Sequence, residues 1–357
     1  MQFPGCQAGA KVIKSNPRGL SMGQQRDAYF VPATSYWPFV AAVVMFTTVF
    51  GAAHWLNAEP GDAGFGKTVL AIGFVGVLAM FFGWFRSVIR ESLAGSYNSQ
   101  VDTSFRMGMM WFIFSEVMFF GAFFGALFYI RMFSVPWLGG EGRGVLTHEF
   151  LWSHYAAAWG ADGGNGPQHI GGAFHTVAAW GLPLLNTLIL LSSSVTVTIA
   201  HHALRAGHRG KILVFLGLTV LLGALFLNFQ AHEYIEAYRE LNLTLHSGVY
   251  GATFFLLTGF HGLHVTLGTI MLAVIWFRVL KGHFSKEHHF GFEAVAWYWH
   301  FVDVVWLALF MFVYILLAPA PGHTTRSPPM AGFLLGVIRS MTCALWRSAS
   351  EPGGAYA

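Results

Sequence analysis

The sequence predicts an all-α integral membrane protein with seven spanning helices, and three observations carry that expectation. Apolar residues make up 55% of the 357 residues and charged residues only 10%, against roughly 25% charged in an ordinary soluble domain. Seven stretches are long and apolar enough to cross a bilayer, which takes about 20 mostly apolar residues per helix. Basic residues then alternate in density between successive connections, as the positive-inside rule requires of a chain that crosses back and forth.

Along the chain, residues 1–35 form an inner-side N-terminal segment that carries charges, prolines and glycines. It contains no continuous apolar stretch of the signal-peptide type, so the spans themselves are expected to direct insertion. The spans fall at roughly 38–56, 68–89, 107–130, 178–200, 211–231, 249–277 and 294–317. Between the third and fourth, residues 131–177 form a long Gly-rich segment on the outer side, too polar to span and long enough to build a small cap. After the seventh span a linker, PAPGHTTRSPP (319–329), leads to MAGFLLGVIRSMTCALW (330–346), which Arg339 interrupts. That last stretch reads as an interfacial helix rather than an eighth span.

The charges fix an orientation. Lys11, Lys14, Arg18 and Arg26, then Arg86, Arg90 and Arg106, then Arg205, Arg209 and Lys211, then Arg278, Lys281 and Lys286 occupy one set of connections. The alternate set holds only Lys67, Arg131, Arg143 and Arg239, with the acids Glu59, Asp62, Glu141, Glu149, Asp162, Glu233, Glu236 and Glu240. Thirteen basic residues against four place the N-terminus inside. The net charge of +4 is small and no Lys/Arg block points to nucleic acid. Cys6 and Cys343, at opposite ends, make neither a disulfide framework nor a thiolate metal site.

Ionisable side chains within spans are costly and therefore informative. Glu116, in WFIFSEVMFF, lies about ten residues from Arg106 and so near the middle of the membrane, at roughly 1.5 Å per residue. A carboxyl group at that depth is expected to be desolvated and to keep its proton. It reads either as a proton-handling or lipid-contacting group or as a hydrogen bond between helices. His261 and His264 share a helix face at i, i+3, and His300 and Asp303 repeat the spacing on the last span. Ligation of a metal or haem and interhelical hydrogen bonding are both open to them. Arg86 and Arg90, at i, i+4 and followed by Glu91, suit a phosphate at headgroup depth, beside the plainer reading as topology-setting charge. His201, His202, His208, His288 and His289 lie on the inner side, where a solvated surface and a pH-responsive one are the alternatives. In the outer segment His148, His154 and His169 are spaced too irregularly for a metal site. The sequence contains no Walker-type loop, no GxSxG elbow and no CxxC pair.

The run HHFGFEAVAWYWHFVDVVWL (288–307) resembles the signature of cytochrome c oxidase subunit III. So do SGVYGATFFLLTGFHGLHVTLGT (247–269), PATSYWPF (32–39), WFRSVIRES (84–92), FRMGMMWFIFSEVMFF (105–120), PLLNTLILLSSSVTVTIAHHAL (183–204) and FQAHEYIEA (229–237), together covering about residues 28–317 in family order. The resemblance implies seven helices in two groups, one and two splayed from three to seven around a V-shaped cleft that holds phospholipids. It implies a subunit with no redox centre of its own, in a proton-pumping oxidase that reduces O2 to water. Haem a-type and copper then belong to subunit I, the main contact, with a further copper in subunit II, and cytochrome c is the donor to the complex. The contribution of this chain would be to stabilise the catalytic subunit, hold lipid and support proton uptake.

Residue by residue, the resemblance makes Glu116 the carbodiimide-reactive carboxyl and Arg86, Arg90 and Glu91 the border of the lipid cleft. His261, His264, His300 and Asp303 become helix-contact residues, and His288, His289 and Glu293 candidates for an inner proton-collecting surface. The length of 131–177 implies a bacterial inner membrane rather than a mitochondrial one. Residues 1–21 and 318–357 depart from the family pattern, and Met22 is the more natural family start. The rival readings are a quinol-oxidase counterpart, a secondary transporter coupled through Glu116 and a free-standing membrane cytochrome b.

Overall fold

The computed structural model describes residues 30, 34–59, 62–155, 157, 159, 174–286 and 288–316. The linker, the expected interfacial helix at 330–346, both cysteines, His169 and the basic residues before 30 lie outside them. Every regular element among the described residues is helical. In order these are α1 (Trp37–Leu56), α2 (Gly64–Leu93), α3 (Ser99–Tyr129), the short α4 (Val135–Leu138) and α5 (Val145–Leu151), then α6 (Leu182–Ala206), α7 (Arg209–Arg239), α8 (Gly248–Leu280) and α9 (Phe290–Leu309). A π-helical turn, Ile130–Ser134, joins α3 to α4, and another, Phe310–Leu316, continues α9. Seven of the resulting helical stretches are long and apolar enough to cross a membrane, as expected from the sequence.

Their boundaries differ from the sequence reading in a consistent way. α2 runs to Leu93, α6 to Ala206 and α7 to Arg239, each beyond the apolar core of its span. The last turns carry Arg90, Arg205, Arg239 and Arg278, where a cation meets the negative end of the helix dipole. Helix continues past the hydrocarbon because backbone groups at headgroup depth still prefer internal partners. The ends themselves follow local chemistry. Pro38 stands in the first turn of α1, where its missing N–H costs nothing. Asn98 Oδ1 accepts the Val101 amide at 2.9 Å and so caps α3.

The chain divides into two compact units. The first comprises Met1–Glu116, Ile199–Phe215 and Ala273–Tyr298, and it holds every described basic residue that the charge pattern assigns to the inner side. Within it α1 and α2 pack as a hairpin along a seam of small residues. A Cβ on Gly73 would lie 2.6 Å from Thr48 N and Oγ1, and one on Gly51 would overlap the Leu70 backbone. Such close backbone approach is how membrane helices gain van der Waals attraction without a hydrophobic driving force.

The second unit comprises Val117–Thr198, Leu216–Leu272 and Trp299–Ala357. Its core includes the fully buried Trp299, Trp306, Phe226, Phe254 and His261. The outer segment has more structure than its composition announced. His148 Nδ1 bonds Leu138 O at 3.0 Å, tying α5 to α4. The Arg131 guanidinium lies 5.7 Å over Trp159, which packs edge-on against Tyr250.

Candidate functional site

The polar residues of the second unit form an interhelical ladder between α6 and α9. Trp306 Nε1 donates to Thr187 Oγ1 at 2.9 Å, and Trp299 Nε1 donates to Ser193 Oγ at 2.9 Å. Ser194 Oγ meets His300 Nδ1 at 2.7 Å and donates to Asp303 Oδ2, while Thr198 Oγ1 lies 3.3 Å from His300 Nε2. The local rule behind this is simple. Thr187 and Ser193 donate their hydroxyl protons to carbonyls of their own helix, Pro183 O and Leu190 O. Their lone pairs are thereby left for an indole N–H from the neighbour. Thr196 and Thr219 extend the pattern to α7 through a 2.8 Å hydroxyl pair.

The two histidines of GFHGLHV bond differently. His261 Nε2 is 3.2 Å from Val302 O, linking α8 to α9, and the ring is completely buried beside Phe226 and Trp306. His264 Nδ1 sits 2.6 Å from Phe260 O in its own helix. His261 thus makes an interhelical hydrogen bond, one of the alternatives the spacing left open, whereas the His264 bond stays within α8. No group of three or more His, Cys, Asp or Glu side chains is placed to hold a metal ion among the described residues.

In the first unit Arg106 is a junction. Its Nη1 donates to Glu293 Oε1 at 2.6 Å and its Nε to Asp102 Oδ2 at 3.0 Å, joining α3 to α9. Glu293, expected on a proton-collecting surface, is thus engaged in an ion pair and its side chain is only 13% exposed. His289 is half-buried, with its ring 5.7 Å from that of His201, whereas His288 is exposed.

Arg86 and Arg90 are exposed on α2 at the expected spacing. Glu91 instead accepts a 2.8 Å bond from the Tyr97 hydroxyl. Burial first, and then the Glu91 carboxyl, raise the Tyr97 phenol above its usual range, so it stays a donor. Glu116 is half-buried within this chain, near Tyr298.

Sequence reasoning missed a second buried carboxyl. Glu233, counted among the outer acids, lies on α7 and is 1% exposed. Tyr314 donates to its Oε1 at 2.6 Å, and Gln230 Nε2 is 3.5 Å away. The available signal was position: Glu233 stands two residues past the expected end of the fifth span, still in phase with it.

The comparisons agree with this architecture. The family model described as "Cytochrome c oxidase subunit III" matches residues 27–146 and 143–317. The "Cytochrome c oxidase subunit 3" of the alga Prototheca wickerhamii is 41% identical over 281 residues, 78% of this chain and 94% of that protein. Those of Tragelaphus oryx and Triticum aestivum are each 40% identical, covering 82% and 81% of this chain and 98% and 97% of their own lengths. A match that runs through the α2 arginines, the Glu116 helix and the α6–α9 ladder leaves one conclusion: this chain belongs to the cytochrome c oxidase subunit III family.

Proposed function

We propose that this chain, a multi-pass subunit of the oxidoreductase complex, serves as a non-redox scaffold for the catalytic subunit. The observation that carries the reading is the use of its intramembrane polar groups. His261, His264, His300 and Asp303 bond to backbone carbonyls or to α6 hydroxyls, so they act in helix packing rather than ligation. Haem a-type and copper then reside in the partner subunits I and II, and cytochrome c delivers electrons there. The length of the 131–177 segment supports a bacterial inner membrane as its location.

Purification of the complex through this chain in mild detergent tests the proposal. Two larger partners, an a-type haem spectrum and cytochrome c oxidation are the expected result. A quinol-oxidising complex would transfer the chain to the sister assembly, and a solitary haem-free chain would overturn the scaffold reading.

Two finer roles follow. Arg86 and Arg90, exposed on one face of α2, grip a lipid phosphate. Replacing both with alanine is expected to lower the phospholipid retained on purification, read by native mass spectrometry, and an unchanged lipid count would refute it. Glu116 is a lipid- or partner-contacting carboxyl and not an obligatory proton conductor, because the redox chemistry lies in another subunit. The assembled Glu116→Gln complex should keep most of its initial turnover while losing durability. Immediate loss of turnover in an intact complex would contradict this.

A further inference from the structure

We propose that a groove between the α6–α7 and α8–α9 connections binds the phosphate headgroup of an anionic phospholipid of the inner leaflet. The groove has a volume of about 390 Å³, and neither Arg86 nor Arg90 lines it. Its two cations, Arg209 and Lys286, come from opposite connections. Each rests against a glycine of the other. Gly207, at φ +80°, carries the Lys286 side chain so closely that a Cβ there would lie 3.0 Å from Nζ. Gly282, at φ +73°, lies beneath the Arg209 guanidinium, 3.8 Å from where its Cβ would stand. Arg209 Nη2 also donates to Leu280 O at 2.6 Å, which fixes the fork in place.

The charged residues that line the groove are both cations. No acid lines the groove among the described residues, and Glu287, next to Lys286, lies outside them. The His283 imidazole is held below its ordinary range by burial and then by the charges of Arg278 and Lys281. α7 begins at Arg209, and the free amides of a helix start add to the attraction for an anion.

Two features select a lipid over a soluble anion. The groove lies at the ends of α6 and α8 and the starts of α7 and α9, where spanning helices meet the headgroup layer. Most of its remaining wall is apolar, with Leu204, Ile212, Val279 and Phe284 beside the cations and Ser285 as the uncharged polar side chain. A free phosphate gains nothing from such a wall, whereas the glycerol and first methylenes of a lipid do.

Lys286 is the reporter. In the delipidated purified complex, acylation of Lys286 by an amine-reactive reagent is followed by peptide mass spectrometry. Short-chain phosphatidylglycerol should protect it, and short-chain phosphatidylcholine or inorganic phosphate at equal concentration should not. In an Arg209→Gln variant, protection should require roughly fivefold more lipid, from about 1 kcal/mol per basic residue at a lipid surface, and Arg209→Lys should restore most of it. Should Arg209→Gln not assemble, the wild-type titration decides alone. Equal acylation with and without phosphatidylglycerol would overturn the proposal. Protection by inorganic phosphate would assign the groove to a soluble anion instead and overturn the lipid assignment.

Discussion

Gly73→Leu is expected to force α1 and α2 apart and to lower the thermal stability of the purified complex by more than any surface change on the same hairpin. The atoms that a new side chain meets are Thr48 N, Cα and Oγ1 on the facing helix, at 2.6–2.7 Å from the Cβ position alone. Two of these are backbone, and Thr48 Oγ1 is held by its own bond to Val44 O at 2.7 Å. None can rotate away, so the helices must part. Overpacking of this kind costs typically 1–3 kcal/mol and occasionally more. In a bilayer the loss is not softened by a hydrophobic drive to re-associate, because lipid tails cover the exposed apolar faces equally well. Gly64→Leu is the control, since a Cβ at Gly64 meets nothing within 4 Å. Spin labels at the ends of α1 and α2 would read the separation directly. Wild-type distances and melting in Gly73→Leu would show that the seam is not as close as described.

That seam also marks a limit of what the sequence displayed. Seven spans were legible because bilayer thickness acts on single segments, without reference to neighbours. Gly73 could not be singled out in the same way. Its importance depends on Thr48 standing opposite, a fact of pairing that no helical periodicity on an apolar helix encodes. The same holds for Thr187, Ser193 and Ser194, which read as mild polarity inside a span until Trp306, Trp299 and Asp303 are placed beside them. Asp102 and Arg106 were readable as an i, i+4 pair, but the long-range partner Glu293 was not. Glu233 was misplaced for a different reason. Span ends were drawn where apolar residues stopped, while α7 continues to Arg239, so a buried carboxyl was counted as a loop acid. The resemblance to the family grouped His261, His264, His300 and Asp303 as helix-contact residues; of these, hydrogen bonds link His261 to α9 and His300 and Asp303 to α6.

Trp306 allows packing and hydrogen bonding in the ladder to be separated, and packing is expected to dominate. The indole is 1% exposed, with Phe226 edge-on at 4.8 Å and His261 at 5.1 Å between ring centroids. Truncating a buried aromatic to alanine typically costs about 3–5 kcal/mol. A hydrogen bond between membrane helices averages roughly 0.6 kcal/mol, because the separated helices find other partners. Trp306→Ala should therefore strongly promote thermal release of this chain from the complex. Trp306→Phe keeps most of the ring and loses the bond to Thr187, and should fall much nearer the wild type. Thr187→Val removes the acceptor while keeping the shape of the side chain, and leaves the indole N–H unpaired in a dry interior. Its cost is expected to match or slightly exceed that of Trp306→Phe, since it leaves a buried N–H with no acceptor, whereas Trp306→Phe leaves the Thr187 hydroxyl still donating to Pro183 O. If Thr187→Val proved as damaging as Trp306→Ala, the ladder would be held by its hydrogen bonds. The α6–α9 contact would then have to be counted as a polar interface rather than an aromatic core with polar pins.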